Sequence, residues 1–299
     1  MDNLDKTIDE KRVLLKEELQ KPSVGLVEHY PRTWEDSWGG DYFGIGVNHT
    51  VYIDADEALE VILPLVSDVI PTIRRHAIWL LGYFSYSAED AIPFILECLK
   101  IDTDDSVSAT AAYTLGKIGR KEDIVIPELL LVMNHHSNPF LRQAAAHAIG
   151  DFGKQAKMAK KELLTILTTD KNSQVRAMAA KSLGQLKLSE IEIINTLLNS
   201  LQYDLDSWVR TKAVESIGKI GSKKLIPFLF AELKKEKGPH EKFAFTIYLL
   251  DKTDAKITTL LTDLLEDDLL SDYEIHQLID HDFLPEDYLI KKKQQEKQN

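Results

Sequence analysis

The chain has 299 residues, 44% of them hydrophobic, with 48 acidic residues against 36 basic ones and a net charge of −12. That apolar fraction supports a full core, while the acidic balance argues for solubility and against wholesale nucleic-acid binding. A single cysteine, Cys98, excludes a disulfide framework and a cysteine-rich zinc site. No apolar run reaches the roughly 18 residues of a membrane span, and the opening "MDNLDKTIDEKRVLLKEELQ" lacks the basic and apolar regions of a signal peptide, which points to the cytoplasm.

In chain order, residues 1–20 read as a polar helix. From Lys21 to Ala55 periodicity breaks, with two tryptophans, three tyrosines and five glycines. Residues 1–53 are therefore expected to form a helix followed by an irregular aromatic cap over what comes next.

From residue 54 to residue 221 a unit of 34 residues repeats five times. Segments 73–85, 107–119, 141–153, 175–187 and 209–221 align on Gly82, Gly116, Gly150, Gly184 and Gly218. A glycine inside a helix costs about 1 kcal/mol relative to alanine, so its recurrence implies that a neighbour approaches closely there. Apolar residues occupy the first, fifth, ninth and twelfth places, as in Val209, Ala213, Ile217 and Ile220, which is one stripe of a helix, here helix B. Asp104, Asn138, Asn172 and Asp206 precede it as N-caps, and Pro71 and Pro139 follow at the first helical position. Gly119, Gly153 and Gly221 read as C-terminal stops with positive φ. A second apolar run in each unit, such as "AIPFILECLK" or "VIPELLLVMN", gives helix A. One such hairpin cannot cover both of its apolar sides, so the units must stack.

Residues 222–289 read as a degenerate helix pair, with Asp251 or Lys252 where the glycine is due, and an acidic helical cap. Between 253 and 289 eleven acidic residues face one lysine. Residues 290–299 form a polar tail.

The pattern D-x-x-x-x-[VIL]-R-x-x-A-[AV]-x-x-[LI]-G-x-[IFL]-G resembles the short HEAT-like repeat of phycobilisome lyases and many bacterial scaffold proteins, strongly so over about residues 54–221. A period of 34 also suits a tetratricopeptide array, but here a second glycine ends the helix where that repeat continues. The resemblance implies an all-α fold, a right-handed α-α superhelix of about seven helix pairs, with helix B lining the concave surface. It further implies a charged ladder between units, with Asp68, Asp102, Asp170 and Asp204 facing Arg74, Arg142, Arg176 and Arg210. His136 and Ser108 depart from that pattern, and the ladder is expected to break at two rungs.

Catalytic signals are weak. "GGDYFGIG" (39–46) lacks the lysine and hydroxyl of a phosphate-cradling loop. His276, Asp280, His281 and Asp282 offer metal-type ligands, but an exposed acidic helix explains their spacing. The His-Glu pairs by which HEAT-like iron hydroxylases hold metal are reduced to His240–Glu241, outside any intact unit, and Cys98 reads as a core thiol. No catalytic residue, metal or cofactor is expected.

The open face of helix B carries the remaining signal. Residues two, six and ten places after the first stripe residue are expected to point outward, and the sixth place reads Trp79, Tyr113, His147, Lys181 and Glu215. Arg75 and Tyr83 lie one turn either side of Trp79. The candidate binding residues are thus Arg75, Trp79, Tyr83, Tyr113, His147 and Lys181, although Trp79 and Tyr113 could instead pack beneath the N-terminal cap. The five helix-B segments carry +8 and the remainder −20. The expected function is a non-catalytic scaffold for a protein or peptide, with no membrane or nucleic-acid partner. The alternatives by resemblance are a bilin-lyase-like or chaperone enzyme and a HEAT-like DNA-lesion glycosylase.

Overall fold

The computed structural model describes residues 6–20, 28–30, 42–45, 51–54, 57–84 and 87–221, with isolated helical positions between 225 and 262. Two units divide the chain at Ser182 and Leu183.

The first unit opens with α1 (Ile8–Leu19), closed at its start by a capping box in which Thr7 and Glu10 satisfy each other's backbone amides. This polar helix is anchored rather than free. It buries Leu15 and Leu19, Lys11 pairs with Glu57, Lys16 meets Asp68 at 2.6 Å, and Arg12 Nη2 donates to the Glu60 carbonyl at 2.7 Å. After it come three short antiparallel strands, β1 (Glu28–Tyr30), β2 (Tyr42–Ile45) and β3 (Val51–Asp54), in the order β1-β2-β3 with Phe43 opposite Ile53. The region read as irregular is therefore in part a small sheet. The supposed glycine loop at 39–46 overlaps β2 in it.

Five helix pairs follow. They are α2 (Ala58–Ile62) with α3 (Pro71–Leu81), α4 (Ile92–Ile101) with α5 (Asp105–Ile118), α6 (Glu122–His135) with α7 (Pro139–Asp151), α8 (Lys160–Thr169) with α9 (Ser173–Leu186), and α10 (Ile191–Tyr203) with α11 (Ser207–Ile220). The last pair belongs to the second unit. The sixth and seventh pairs expected beyond residue 222, with the acidic cap and tail, fall outside the described residues save for isolated positions. Four of the five B helices start where the capping chemistry dictates: the side chains of Asp104, Asn138, Asn172 and Asp206 each accept from amides two or three residues on, whereas α3 starts at Pro71 without a side-chain cap. Helices α5 and α11 stop at Gly119 and Gly221, with φ of 60° and 77°. The equivalent place in α9 is Lys187, which takes the same left-handed conformation at φ 53°. Every residue of the apolar stripe from Ile73 to Ile217 is buried, and only Ile220 at its end is partly open.

The repeated glycine faces the next helix B. A Cβ built on Gly116 would lie 2.8 Å from Ala148 Cα, and one on Gly184, in the second unit, 2.6 Å from Ser216 Cβ. The contact is small residue on glycine, 32 positions apart. Thr114, Ala148 and Ser216 each stand two residues before the glycine of their own helix, so the small side chain that meets one glycine is followed, two residues on, by the next. Ser182 adds a buried hydrogen bond, its Oγ donating 2.7 Å to the Ala146 carbonyl.

The ladder is held by bidentate pairs. Arg74 Nε and Nη2 donate to the two Asp102 oxygens at 2.7 Å each, and Arg142 does the same to Asp170 at 2.8 and 2.9 Å. Each guanidinium also caps the end of its own helix A: Arg74 Nη1 donates to the Asp68 carbonyl, Arg142 to that of His136, Arg176 to that of Asp170 and Arg210 to that of Asp204. The paired residues are 28 positions apart, and so are Ser108 and His136. The two departures are therefore the two halves of one missing rung, which corrects the expectation of two broken ones. Ser108 turns back to donate to the Cys98 carbonyl at 3.1 Å, and His136 Nδ1 accepts the Asn138 amide at 3.1 Å as the aspartates accept theirs.

Burial works to raise the Asp170 carboxyl, but the Arg142 bonds and the Asn172 amide outweigh it and hold it below the usual carboxylate range. The sign follows directly. The stability it adds is fully present above the unfolded value of about 4 and is lost as pH falls through the lower folded value. Asp170→Asn should therefore flatten the acid limb of melting temperature against pH between about pH 5 and 2; a variant with the parent's slope would remove Asp170 from the acid transition.

Candidate functional site

Helix B exposes less of its face than its periodicity suggests. At the second place Ala109 and Ala177 are buried, at 2% and 0% exposure. The outward reading of that row is thereby corrected at two of its positions. Gln143 and Arg75 in the same row remain partly open. The sixth and tenth places form the open surface, and in the first unit these are Trp79 on α3 and Tyr83 just beyond its end, Tyr113 and Lys117 on α5, His147 and Asp151 on α7, and Lys181 on α9.

Arg75 is less outward than expected. Its Nη2 donates to His76 Nε2 at 3.2 Å, and His76 Nδ1 in turn lies 2.8 Å from the Leu19 carbonyl at the end of α1. Burial, aided by the Arg75 charge, pulls the His76 imidazole below its ordinary value, so it is neutral and can accept from Arg75. The last turn of α1 therefore fixes the start of this surface.

Trp79 is half-buried and meets Tyr83 edge-to-face, ring centroids 4.9 Å apart. The ring of Tyr83, 37% exposed, carries the Lys117 ammonium 3.3 Å above its centroid, a cation–π contact from one helix pair to the next. Tyr113 is half-buried and meets the His147 ring edge-on at 5.3 Å. Lys181 Nζ then donates to His147 Nε2 at 2.9 Å. An acceptor Nε2 places the imidazole hydrogen on Nδ1, which lies 3.1 Å from Asp151 Oδ2 without hydrogen-bond alignment. Two linked chains thus cross successive helices, one from Trp79 through Tyr83 to Lys117 and the other from Tyr113 through His147 to Lys181. Glu215, the fifth member of the row, lies in the second unit, where it pairs with Lys212 at 2.8 Å.

Sequence reasoning missed Lys117, Asp151 and His76. Lys117 and Asp151 stand in the tenth-place row, and an aromatic residue 34 positions before a lysine was the available signal. A second feature, not anticipated, is an open groove of about 370 Å³ beside the ladder, lined by Val69, Phe94, Ile101 and Cys98 with Arg74 and Asp102. Cys98 is half-buried rather than wholly in the core. Burial, reinforced by Asp102, pushes its thiol up to about 11, so it stays protonated at neutral pH and is a poor nucleophile. Among the described residues no group of three or more histidine, cysteine or acidic side chains is placed to hold a metal, and no helix is long and apolar enough to cross a membrane. His240, Glu241 and the cluster from His276 to Asp282 lie outside those residues.

A family model described as HEAT repeats matches residues 59–150, 126–192 and 160–250. No curated protein matches the sequence. Among solved structures, Escherichia coli YibA is 21% identical, with 75% of this chain and 81% of that one covered and a TM-score of 0.50. The CpcE–CpcF complex of phycocyanin lyase from Nostoc sp. is 18% identical, covering 71% and 94%, with a TM-score of 0.40. Human deoxyhypusine hydroxylase in complex with glycerol is 13% identical, covering 90% and 93%, with a TM-score of 0.30. The likeness to YibA is one of fold.

Proposed function

The chain belongs to the HEAT-repeat family, and from that premise we propose that it is a non-catalytic scaffold that holds a protein or peptide along the sixth- and tenth-place rows of its B helices. The observation that carries this reading is the continuity of those rows. Trp79, Tyr83, Tyr113, Lys117, His147 and Lys181 reach solvent from four successive helix pairs of the first unit and form two linked sets, each running from one pair to the next. With neighbouring helices about 8–10 Å apart, four of them offer roughly 30 Å of surface, long enough for an extended segment or one face of a helix.

Aromatic anchors usually dominate such interfaces. A photo-crosslinking residue introduced at Gln143, partly open on the same face, should yield a partner adduct in native lysate. Adding Trp79→Ala with Tyr113→Ala should abolish that adduct while the circular-dichroism spectrum and melting temperature stay near the parent's. Early melting of the double variant would instead assign both rings to the packing of α1 and the N-terminal sheet.

A further inference from the structure

Resting on that reading, we propose that the occupant of this face in the first unit is an acidic peptide segment, with carboxylates alternating with apolar or aromatic side chains. The inference comes from what the cations on the face touch. Arg75, Lys117 and Lys181 each engage a neutral group, His76, the Tyr83 ring and His147 respectively, and none of the three has a carboxylate partner among the described residues. Five other cations of the same unit are matched with acids: Arg74 with Asp102, Arg142 with Asp170, Lys16 with Asp68, Lys100 with Glu128 and Lys121 with Glu89. In a chain holding 48 acidic residues against 36 basic ones, carboxylates are the abundant partner. They are nevertheless scarce in these rows: within the first unit Asp151 is the single acid in them, 3.1 Å from His147.

Neutral partners position a cation without neutralising it. An ammonium has three donors, and His147 takes one of those on Lys181, so the others remain for an incoming carboxylate at a fixed place. The Tyr83 ring similarly steadies Lys117 while leaving its charge uncompensated. Between these points stand Trp79, Tyr113 and the Tyr83 edge, which suit apolar side chains. An extended chain advances about 3.3 Å per residue against helix steps of roughly 8–10 Å, so about one acidic residue in three would meet the cations in register. The five B segments carry +8 against −20 for the rest of the chain, a contrast that favours an anionic ligand on this face.

The probe is a fluorescein-labelled 12-residue peptide with glutamate at every third position and leucine or tyrosine between, compared with versions carrying glutamine or lysine at the glutamate positions. Fluorescence anisotropy with the full chain should show binding of the glutamate peptide alone, weakening about tenfold or more as salt rises from 50 to 500 mM. Lys117→Glu with Lys181→Glu should weaken it at least tenfold. Lys154→Glu with Lys157→Glu, in the α7–α8 connection of the same unit, should leave it unchanged. Equal binding of the lysine peptide, an equal loss in the α7–α8 variant, or tighter binding of a single-stranded oligonucleotide in competition would each overturn the proposal. If the crosslinked adduct forms in lysate but the glutamate peptide does not bind, the acidic ligand fails while the scaffold reading stands. Absence of both removes the two together.

Discussion

Gly116→Leu is expected to lower the melting temperature by about 6–12 °C, the equivalent of about 3 kcal/mol at the upper end of overpacking costs in a unit of this size. A Cβ at this position already meets Ala148 Cα at 2.8 Å and its Cβ at 3.0 Å, and the nearest atom is backbone, which no rotamer change can move aside. Gly116→Ala separates this effect from helix propensity. Propensity alone would favour alanine by about 1 kcal/mol, so a net loss can come only from the clash between α5 and α7. Gly82→Ala is the milder comparison, because its Cβ would meet the flexible end of Lys117 and the Trp79 carbonyl at 3.2 Å each. If Gly116→Ala melts at or above the parent temperature, the seam of small residues between successive B helices does not govern their spacing.

That seam also marks the limit of what one sequence discloses. The stripe from Ile73 to Ile217, the caps at Asp104 and Asp206 and the stops at Gly119 and Gly221 were all legible, because each is decided within a turn or two of one helix. Whatever depends on which turn of the next helix lies opposite was not. The glycines recur every 34 residues, but they pack against Thr114, Ala148 or Ser216 at an offset of 32. The ladder pairs at an offset of 28, and the departures at Ser108 and His136 are one event only once that offset is known. The placement of Lys117 on Tyr83 follows from the same unseen register. At the N-terminus strands of three or four residues are too short to set up an alternation of their own, so a small sheet read as irregular chain.

The rung offset yields the second large effect. Arg142→Ser should cost about 3–5 kcal/mol, the usual penalty for removing one member of a buried pair: the Asp170 carboxylate, 5% exposed, would lose both guanidinium bonds, and the carbonyls of His136 and Ser137 would lose their cap. The protein already contains a neutral version of this rung at Ser108 and His136, where no buried charge is left without a partner and His136 Nδ1 still accepts the amide two residues on. Copying it one rung along, as Arg142→Ser with Asp170→His, keeps an acceptor for the Asn172 amide and removes the stranded carboxylate. The double variant should therefore recover more than half of the stability lost by Arg142→Ser alone, a coupling of about 2 kcal/mol, within the range for residues in direct contact. Chemical denaturation of the parent, both single variants and the double variant closes the cycle. Losses that simply add would mean that the neutral rung is tolerated only where it stands, by packing around Ser108 and Cys98, and not because exchanging both partners together avoids an unpaired buried charge.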